Sequence, residues 1–190
     1  GGIVGHLDTT RGQEGTEVNV TVENCYNTGT IYASGSVGGI AGGIQNGHTI
    51  RGCYNAGDIY ASSEALPIAG AIVGAVTRAN TFEECYYDIS TCEKGLGELD
   101  SEEVVGVTSD EMRSSDFAEL LGGSFTEDPY GLANGGYPIF SWQSTYDADD
   151  IDYVVGKIST IGAVTLDSAD VIREARNAYD DLDDALPICS

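Results

Sequence analysis

The stretch "VENCYNTGTIYASGSVGGIAG", Val22 to Gly42, decides the fold because the chain says it again. Twenty-eight residues after Cys25 stands Cys53 in "RGCYNAGDIYASS", and thirty-two after that stands Cys85 in "EECYYDIST". Aligned on these cysteines, "VGGIAG" places Ile40 thirteen residues before Cys53, and "AGAIVG" places Ile72 thirteen before Cys85. The matching "GGIVG" puts Ile3 twenty-two before Cys25, so the first unit carries nine extra residues in or beside "HLDTTRGQEGTEVN". Four more fall around "SSEALP". With both insertions removed the period is twenty-eight throughout. Insertions that spare the core spacing mark stacked supersecondary units with variable loops.

The middle copy names the unit. "VGGIAG" is a short apolar run, "GIQNGH" is turn chemistry, "TIRGCYN" is extended, "AG" turns, and "DIYAS" is extended again. No run supports an apolar stripe at three-to-four spacing over ten residues, so strands are favoured over helices. Three brief strands per period predict a mainly β fold, a short parallel β-solenoid of about three repeats over residues 1–92. Each rung buries its inward face only against its neighbours, ~4.8 Å away. Tyr26, Tyr54 and Tyr86 are then expected to form one ladder, and Ile31, Ile59 and Ile89 another. Alternation alone leaves open whether the cysteines or the tyrosines point inward. In the third copy "CYN" with its turn glycine becomes "CYYDI", which predicts that the solenoid ends there and that its last edge is covered.

These residues resemble the GLUG-motif repeats of bacterial cell-surface proteins: "GGIVG", "VGGIAG" and "AGAIVG", each followed by "CYN" or "CYY". Ala71 stands where the motif has its second glycine. "VTSDEMRSSDFAELLGGSF", running on to "NGGYPIFSWQ", is similar to the segment that closes such repeats, so the resemblance spans Gly1 to Gln143. It implies an exported protein at the bacterial cell surface and repeats that serve as architecture around varied partners.

From its residues alone, 93–143 predicts a cap of short helices and a final strand. Thr108 or Ser109 is an N-cap with acids in the first turn, and "SSDFAELLGG" is a two-turn helix stopped by Gly122 and Gly123. "GGYPIFSWQ" alternates Tyr137 and Ile139, with Ser141 as a further candidate, against Phe140 and Trp142, and the lone Trp is expected to anchor the core or cap. After Gln143 glycine nearly vanishes. Residues 144–150 predict an acidic linker, and 151–190 a helical pair. Ile151, Val154, Val155, Ile158 and Ile161 share one helical face; Val171, Ala175, Ala178 and Leu182 share another, begun by a cap at Asp167 or Ser168. Val154 and Ile158 are expected to face Val171, Ala175 and Ala178. This pair resembles the small helical spacer modules of Gram-positive surface proteins, which continue into a further helix; here the module reads as truncated or as the natural end of the chain.

The net charge of −23 divides into 20 acids against 5 bases up to Gln143 and 11 against 3 after it. Such a field repels nucleic acid and anionic membranes and suits a solvated surface, a cation-binding protein or a high-salt habitat. There is no run of eighteen apolar residues and no signal peptide, and the chain begins in mid-repeat, so a longer parent chain with further domains is expected. Cys25, Cys53 and Cys85 share a register and read as a buried thiol ladder. Cys92, seven residues past Cys85, is a disulfide candidate for it, while no close-spaced cysteine pairs with histidines suggest a metal. Asp147, Asp149, Asp150 and Asp152 are weak calcium candidates, lacking the central glycine and distant Glu of an EF-hand.

No catalytic constellation is legible, and no cofactor is expected. His6 and His48 read as loop residues in different units, and neither belongs to a nucleophile motif. Glu83 and Glu84, like Glu102 and Glu103, are adjacent and so are expected to point in different directions. The expectation is therefore a non-catalytic structural or adhesion segment of an extracellular surface protein, presenting or extending a binding region. The alternatives are a module that itself binds a host glycan or host surface protein, and a β-helix polysaccharide lyase or hydrolase working through paired carboxylates.

Overall fold

A computed structural model describes residues 1–8, 19–62, 68–77, 79–131, 133–143, 148–165 and 168–183. It divides into two compact units, Gly1–Ser141 and Trp142–Ser190. The first is mainly β, with parallel sheets. Its first layer holds β1 (Val4–Leu7), β2 (Thr21–Glu23), β3 (Tyr26–Asn27) and β4 (Ile31–Ala33). The second holds β5 (Val37–Gly38), β6 (Ala41–Ile44), β7 (Thr49–Asn55) and β8 (Ile59–Ala61), and the third β9 (Ala69–Gly70), β10 (Val73–Val76) and β11 (Thr81–Asp88).

Each strand pairs in parallel with its counterpart one layer on: β1 with β6 and β6 with β10, β2 and β3 with β7, β7 with β11, β4 with β8, and β5 with β9. Tyr26 is level with Tyr54 and Tyr54 with Tyr86, while Cys53 is level with Cys85. The register thus shifts by twenty-eight and then thirty-two residues, a difference equal to the four-residue insertion.

A local kink sets which residues face in. Asn24, Gly52 and Glu84, each just before its cysteine, all have left-handed backbone, with φ of 53°, 56° and 51°. A residue turned this way behaves as a bulge and breaks strand alternation. Ile50 and Cys53 can therefore both face the interior, as can Phe82 and Cys85, where strict alternation over three residues would send one outward. The cysteines join a core with Ile40, Ile44, Ile72 and Val73. The tyrosines point the other way, into a second core with Met112, Phe117, Leu121 and Phe125.

The isoleucine ladder stops early. Ile31 pairs with Ile59, but Ile89 sits in a turn and is 52% exposed. Without the Asn-and-Gly corner, the third layer places Tyr87 level with Asn55 and turns straight after Asp88. Beyond it the stack gains a partial layer that carries no repeat motif: Leu96 bridges Val73, and β12 (Val104–Val107) pairs in parallel with β11.

After β12 come α1 (Ser109–Met112), α2 (Ser115–Leu120) and the antiparallel pair β13 (Phe125–Thr126) and β14 (Ile139–Phe140). Thr108 is the N-cap of α1, in a capping box with Glu111. The expected final strand is only two residues long, and Ser141–Gln143 turn as a 3-10 helix. That turn leaves Trp142 76% exposed, so it is not the anchor its lone occurrence suggested.

The second unit is a helical hairpin, α3 (Ala148–Ser159) and α4 (Ala169–Asp183). The first helix begins three residues before the expected Ile151, inside the stretch read as linker. Ile151 and Val154 are buried, as are Ala175 and Ala178, but Val155 and Ile158 are 44% and 51% exposed. The seam is narrower than the five-residue stripe, since a hairpin covers one side of each helix. Lys157 bridges Glu174 at 3.1 Å. At the start of α4, Ser168 Oγ accepts the Thr165 N–H at 2.9 Å. Asp167 lies outside the described residues, as does the side chain of Leu182.

Candidate functional site

Nearly all the buried polar groups lie at layer corners or on the seam with the cap. At the "CYN" corner, Asn27 Nδ2 donates to Asn55 Oδ1 at 2.8 Å, and Asn55 Nδ2 donates to the Gly57 carbonyl at 2.8 Å. Each Asn closes its own turn while binding its neighbour, which explains why the Asn and the glycine occur together. Asn55 is fully buried, where an unmade amide hydrogen bond would cost about 1–3 kcal/mol.

Tyr54 is the centre of the seam. Its ring stacks on Tyr26 at 5.2 Å with planes 4° apart and meets Phe117 and Phe125 edge-on. Its hydroxyl donates to the Pro138 carbonyl and accepts from Asn134 Nδ2 at 2.9 Å. Thr28 Oγ1 donates to Asn134 Oδ1 at 3.0 Å, tying the first layer to the same side chain. Burial pushes the Tyr54 hydroxyl far above the usual tyrosine range, so it stays neutral. Tyr86 continues the column only in register, since its ring packs edge-on against Phe117 at 5.2 Å.

Two carboxylates hold the cap. Asp128 accepts the backbone N–H groups of Asn134 and Gly136 at 2.7 and 3.1 Å, shaping the glycine-rich loop before β14. Asp88 accepts from the N–H and hydroxyl of Ser90 at 2.8 and 2.6 Å, from the Ser109 hydroxyl at 2.5 Å and from Tyr137 at 2.9 Å. Burial pushes the Asp88 carboxyl up, yet the bonds from Ser109, Ser90 and Tyr137 outweigh it and hold it below the usual range. Arg113 lies 4.5 Å over the Tyr137 ring and donates to its hydroxyl at 3.2 Å. With both oxygens of Asp88 already bonded, the carboxylate is built to stay charged and fixed rather than to move protons.

Of the two histidines read as loop residues, His6 changes place and His48 does not. His6 lies within β1, exposed and level with Gly43. His48 is buried; its ring Nδ1 accepts the Val20 N–H at 3.0 Å, and its backbone N–H donates to Asn80 Oδ1 at 3.1 Å. It lies in the loop just before β7, as expected, and from there ties three layers together. Its Nε2 is the buried side-chain polar atom without a partner among the described residues. Glu83 and Glu84 are both exposed, because the left-handed Glu84 reverses the expected alternation. Glu102 and Glu103 are also exposed and precede β12, whose register with β11 brings them to the same end of the sheet. Arg51 stands level with Glu23 and Glu83 and pairs with Glu23.

Cys25, Cys53, Cys85 and Cys92 are free thiols, so Cys85 and Cys92 are not bridged. Cys85 faces the core, and its strand runs straight on to Asp88, ~10 Å further at about 3.3 Å per residue, before the turn that carries Cys92. Burial pushes the Cys85 thiol up to about 12. Asp147 lies outside the described residues, and Asp149, Asp150 and Asp152 fall in the first turns of α3 rather than in a loop. Among the described residues no group of three metal-ligating side chains converges, and no helix is long and apolar enough to cross a membrane.

One surface feature was not singled out from the sequence. Tyr32 and Tyr60, 75% and 48% exposed, stack at 4.9 Å on β4 and β8. The repeated "IYAS" carried the signal, because a Tyr between two partly covered neighbours points outward once the strand is known. Neither protein-family models, nor curated proteins, nor solved structures contain a match to this chain.

Proposed function

We propose that residues 1–143 form a short, capped parallel β-solenoid that acts as a non-catalytic structural or adhesion segment of an exported bacterial surface protein. The observation that carries this reading is how the buried polar groups are used. Asn55, Asp88, Asp128 and Tyr54 all bond across layers or to the cap, which suits a rigid element and leaves none of them poised for acid–base work. The GLUG-like repeats support a place at the cell surface, and the helical hairpin supports a spacer joining it to other domains of a longer chain. The acidic surface favours no nucleic-acid partner.

The test is activity against a panel of plant, mucin and host glycans, with and without calcium. The expected result is no turnover. Cleavage of any glycan, abolished by Gln at Glu83, Glu84, Glu102 or Glu103, would make the chain an enzyme. The exposed Tyr32–Tyr60 stack favours a second reading, a module that binds a host glycan or host surface protein. In that case binding on a glycan or host-protein array is lost in the Tyr32→Ala, Tyr60→Ala double variant while its fold is kept.

A further inference from the structure

The two exposed tyrosines do not offer a ligand the same surface. β4 and β8 form a two-stranded sheet of their own, with Ile31, Tyr32 and Ala33 level with Ile59, Tyr60 and Ala61. Burial alternates along β4 and its flanks: Thr30, Tyr32 and Ser34 are exposed, while Ile31 and Ala33 are partly covered. On the other strand Tyr60 and Ser62 are exposed, and Asp58, just before β8, is half-buried. The outward row is therefore aromatic at its centre and polar on both sides.

The rings lie face to face, 4.9 Å apart and 13° from parallel, so each closes one face of the other. An aromatic face is the electron-rich side of the ring, and it is the face, not the edge, that attracts weakly positive C–H groups. Tyr32 is 75% exposed with Tyr60 as its one ring contact among the described residues, so the face turned away from β8 is open. Tyr60 keeps 48%, which makes Tyr32 the outer ring of the pair. The stack thus presents one full ring face, held in a fixed orientation by the ring behind it. Thr30 and Ser34 flank that ring on the same side of the strand, ~7 Å away in each direction.

We propose that the open face of Tyr32 binds one neutral pyranose ring, whose hydroxyl groups are taken by Thr30, Ser34 and the Asp58 carboxylate. This rests on the reading of the exposed tyrosines as a binding module and names its ligand class. A pyranose is built for such a patch: its ring C–H groups stack on the aromatic face, and its hydroxyls reach the polar rim. A protein partner is disfavoured by size. A stable protein interface takes about 800 Å² from each side, and the neighbours of Tyr32 along the chain beyond Ile31 and Ala33 are Gly29, Thr30, Ser34 and Gly35, which add no apolar area. Charge disfavours the acidic sugars. A uronate or sialic acid would bring a carboxylate beside Asp58, on a chain carrying 31 acids against 8 bases. Tyr32 is then the contact residue, and Tyr60 is a positioning residue that backs it.

The full chain, natively folded by circular dichroism, is applied to an array of neutral and acidic glycans and, separately, to an array of host proteins. The expected hits are neutral glycans alone. Tyr32→Ala weakens them about tenfold, Tyr32→Phe keeps them within about threefold because the ring face survives, and Tyr60→Ala weakens them less than Tyr32→Ala. Saturation-transfer NMR of the wild-type chain with the best neutral hit should mark the C–H protons of one sugar face, a readout that needs no variant to fold. Hits confined to acidic glycans, hits that survive Tyr32→Ala, equal loss in Tyr32→Phe and Tyr32→Ala, or no glycan hit would each overturn the proposal. A host-protein hit lost in Tyr32→Ala, with no glycan bound, would overturn it while leaving the broader binding-module reading intact; silence on both arrays would remove both.

Discussion

Replacing Tyr54 by Phe removes one oxygen from the centre of the seam and tests whether the cap is locked to the layers as the geometry implies. Two hydrogen bonds are lost, the donation to Pro138 and the acceptance from Asn134. The groups left behind are not fully orphaned, because Asn134 Nδ2 also reaches the Pro138 carbonyl at 3.1 Å. The cost is therefore two net hydrogen bonds rather than two buried unsatisfied groups, about 2 kcal/mol together. For a unit of this size that corresponds to a fall in Tm of about 5–10 °C. The assay is urea and thermal unfolding by circular dichroism, since the exposed Trp142 is a poor reporter of the core. Tyr32→Phe, which trims a hydroxyl from an exposed ring, is the control and should stay within about 0.5 kcal/mol. If both variants unfold together, the seam is not closed around Tyr54, and the cap is held by apolar contact alone.

The left-handed positions give a paired prediction. Gly52→Ala should destabilise by about 1–2 kcal/mol, since its Cβ would adopt a disfavoured φ and lie 3.0 Å from Asn24 Oδ1, whereas Glu84→Gly should be neutral to stabilising by up to about 1 kcal/mol. A urea midpoint that Gly52→Ala leaves unchanged or raises, or that Glu84→Gly lowers, would mean that the bulge is not shared by the layers. Asp88 has a depressed folded pKa, so its contribution is complete above the unfolded value near ~4 and is lost as pH falls through the folded value. The stability gap between wild type and Asp88→Asn should then be constant at neutral pH and shrink below about pH 4, and a gap that grows on acidification would reverse the assignment. In the hairpin, Val154→Ala should destabilise by about 1–2 kcal/mol while Ile158→Ser costs under about 0.5 kcal/mol. Amide exchange should be faster in α4 than in β7 and β11, because two helices bury little area alone, and equal protection would contradict it.

The period, the parallel character and the cysteine and tyrosine registers were legible in the residues, because a repeat that survives two insertions must place like on like. The capping helix signals at Thr108 and Gly122 were also local, since a cap needs only a few neighbouring residues. The paired carboxylates Glu83 and Glu84 were misjudged because strand alternation is itself conditional on φ. Nothing in "EEC" announces that Glu84 takes a conformation more natural to the glycine of "RGC". The burial of His48 was illegible for another reason: its partners, Val20 and Asn80, lie twenty-eight and thirty-two residues away, one layer on each side.

The sequence by itself determined the order of units, their spacing, their acidity and the amphipathic stripes of the two tail helices, because each depends on residue type and short-range periodicity. Only the tertiary structure decided which face of the repeat is interior. Cys53 and Tyr54 are neighbours with similar claims to burial, and both are buried, in two different cores. The cysteine packs among its own layers, and the tyrosine waits for Phe117 and Phe125 to arrive from more than sixty residues away. Burial is a property of what covers a side chain, and for Tyr54 the cover is a distant part of the chain.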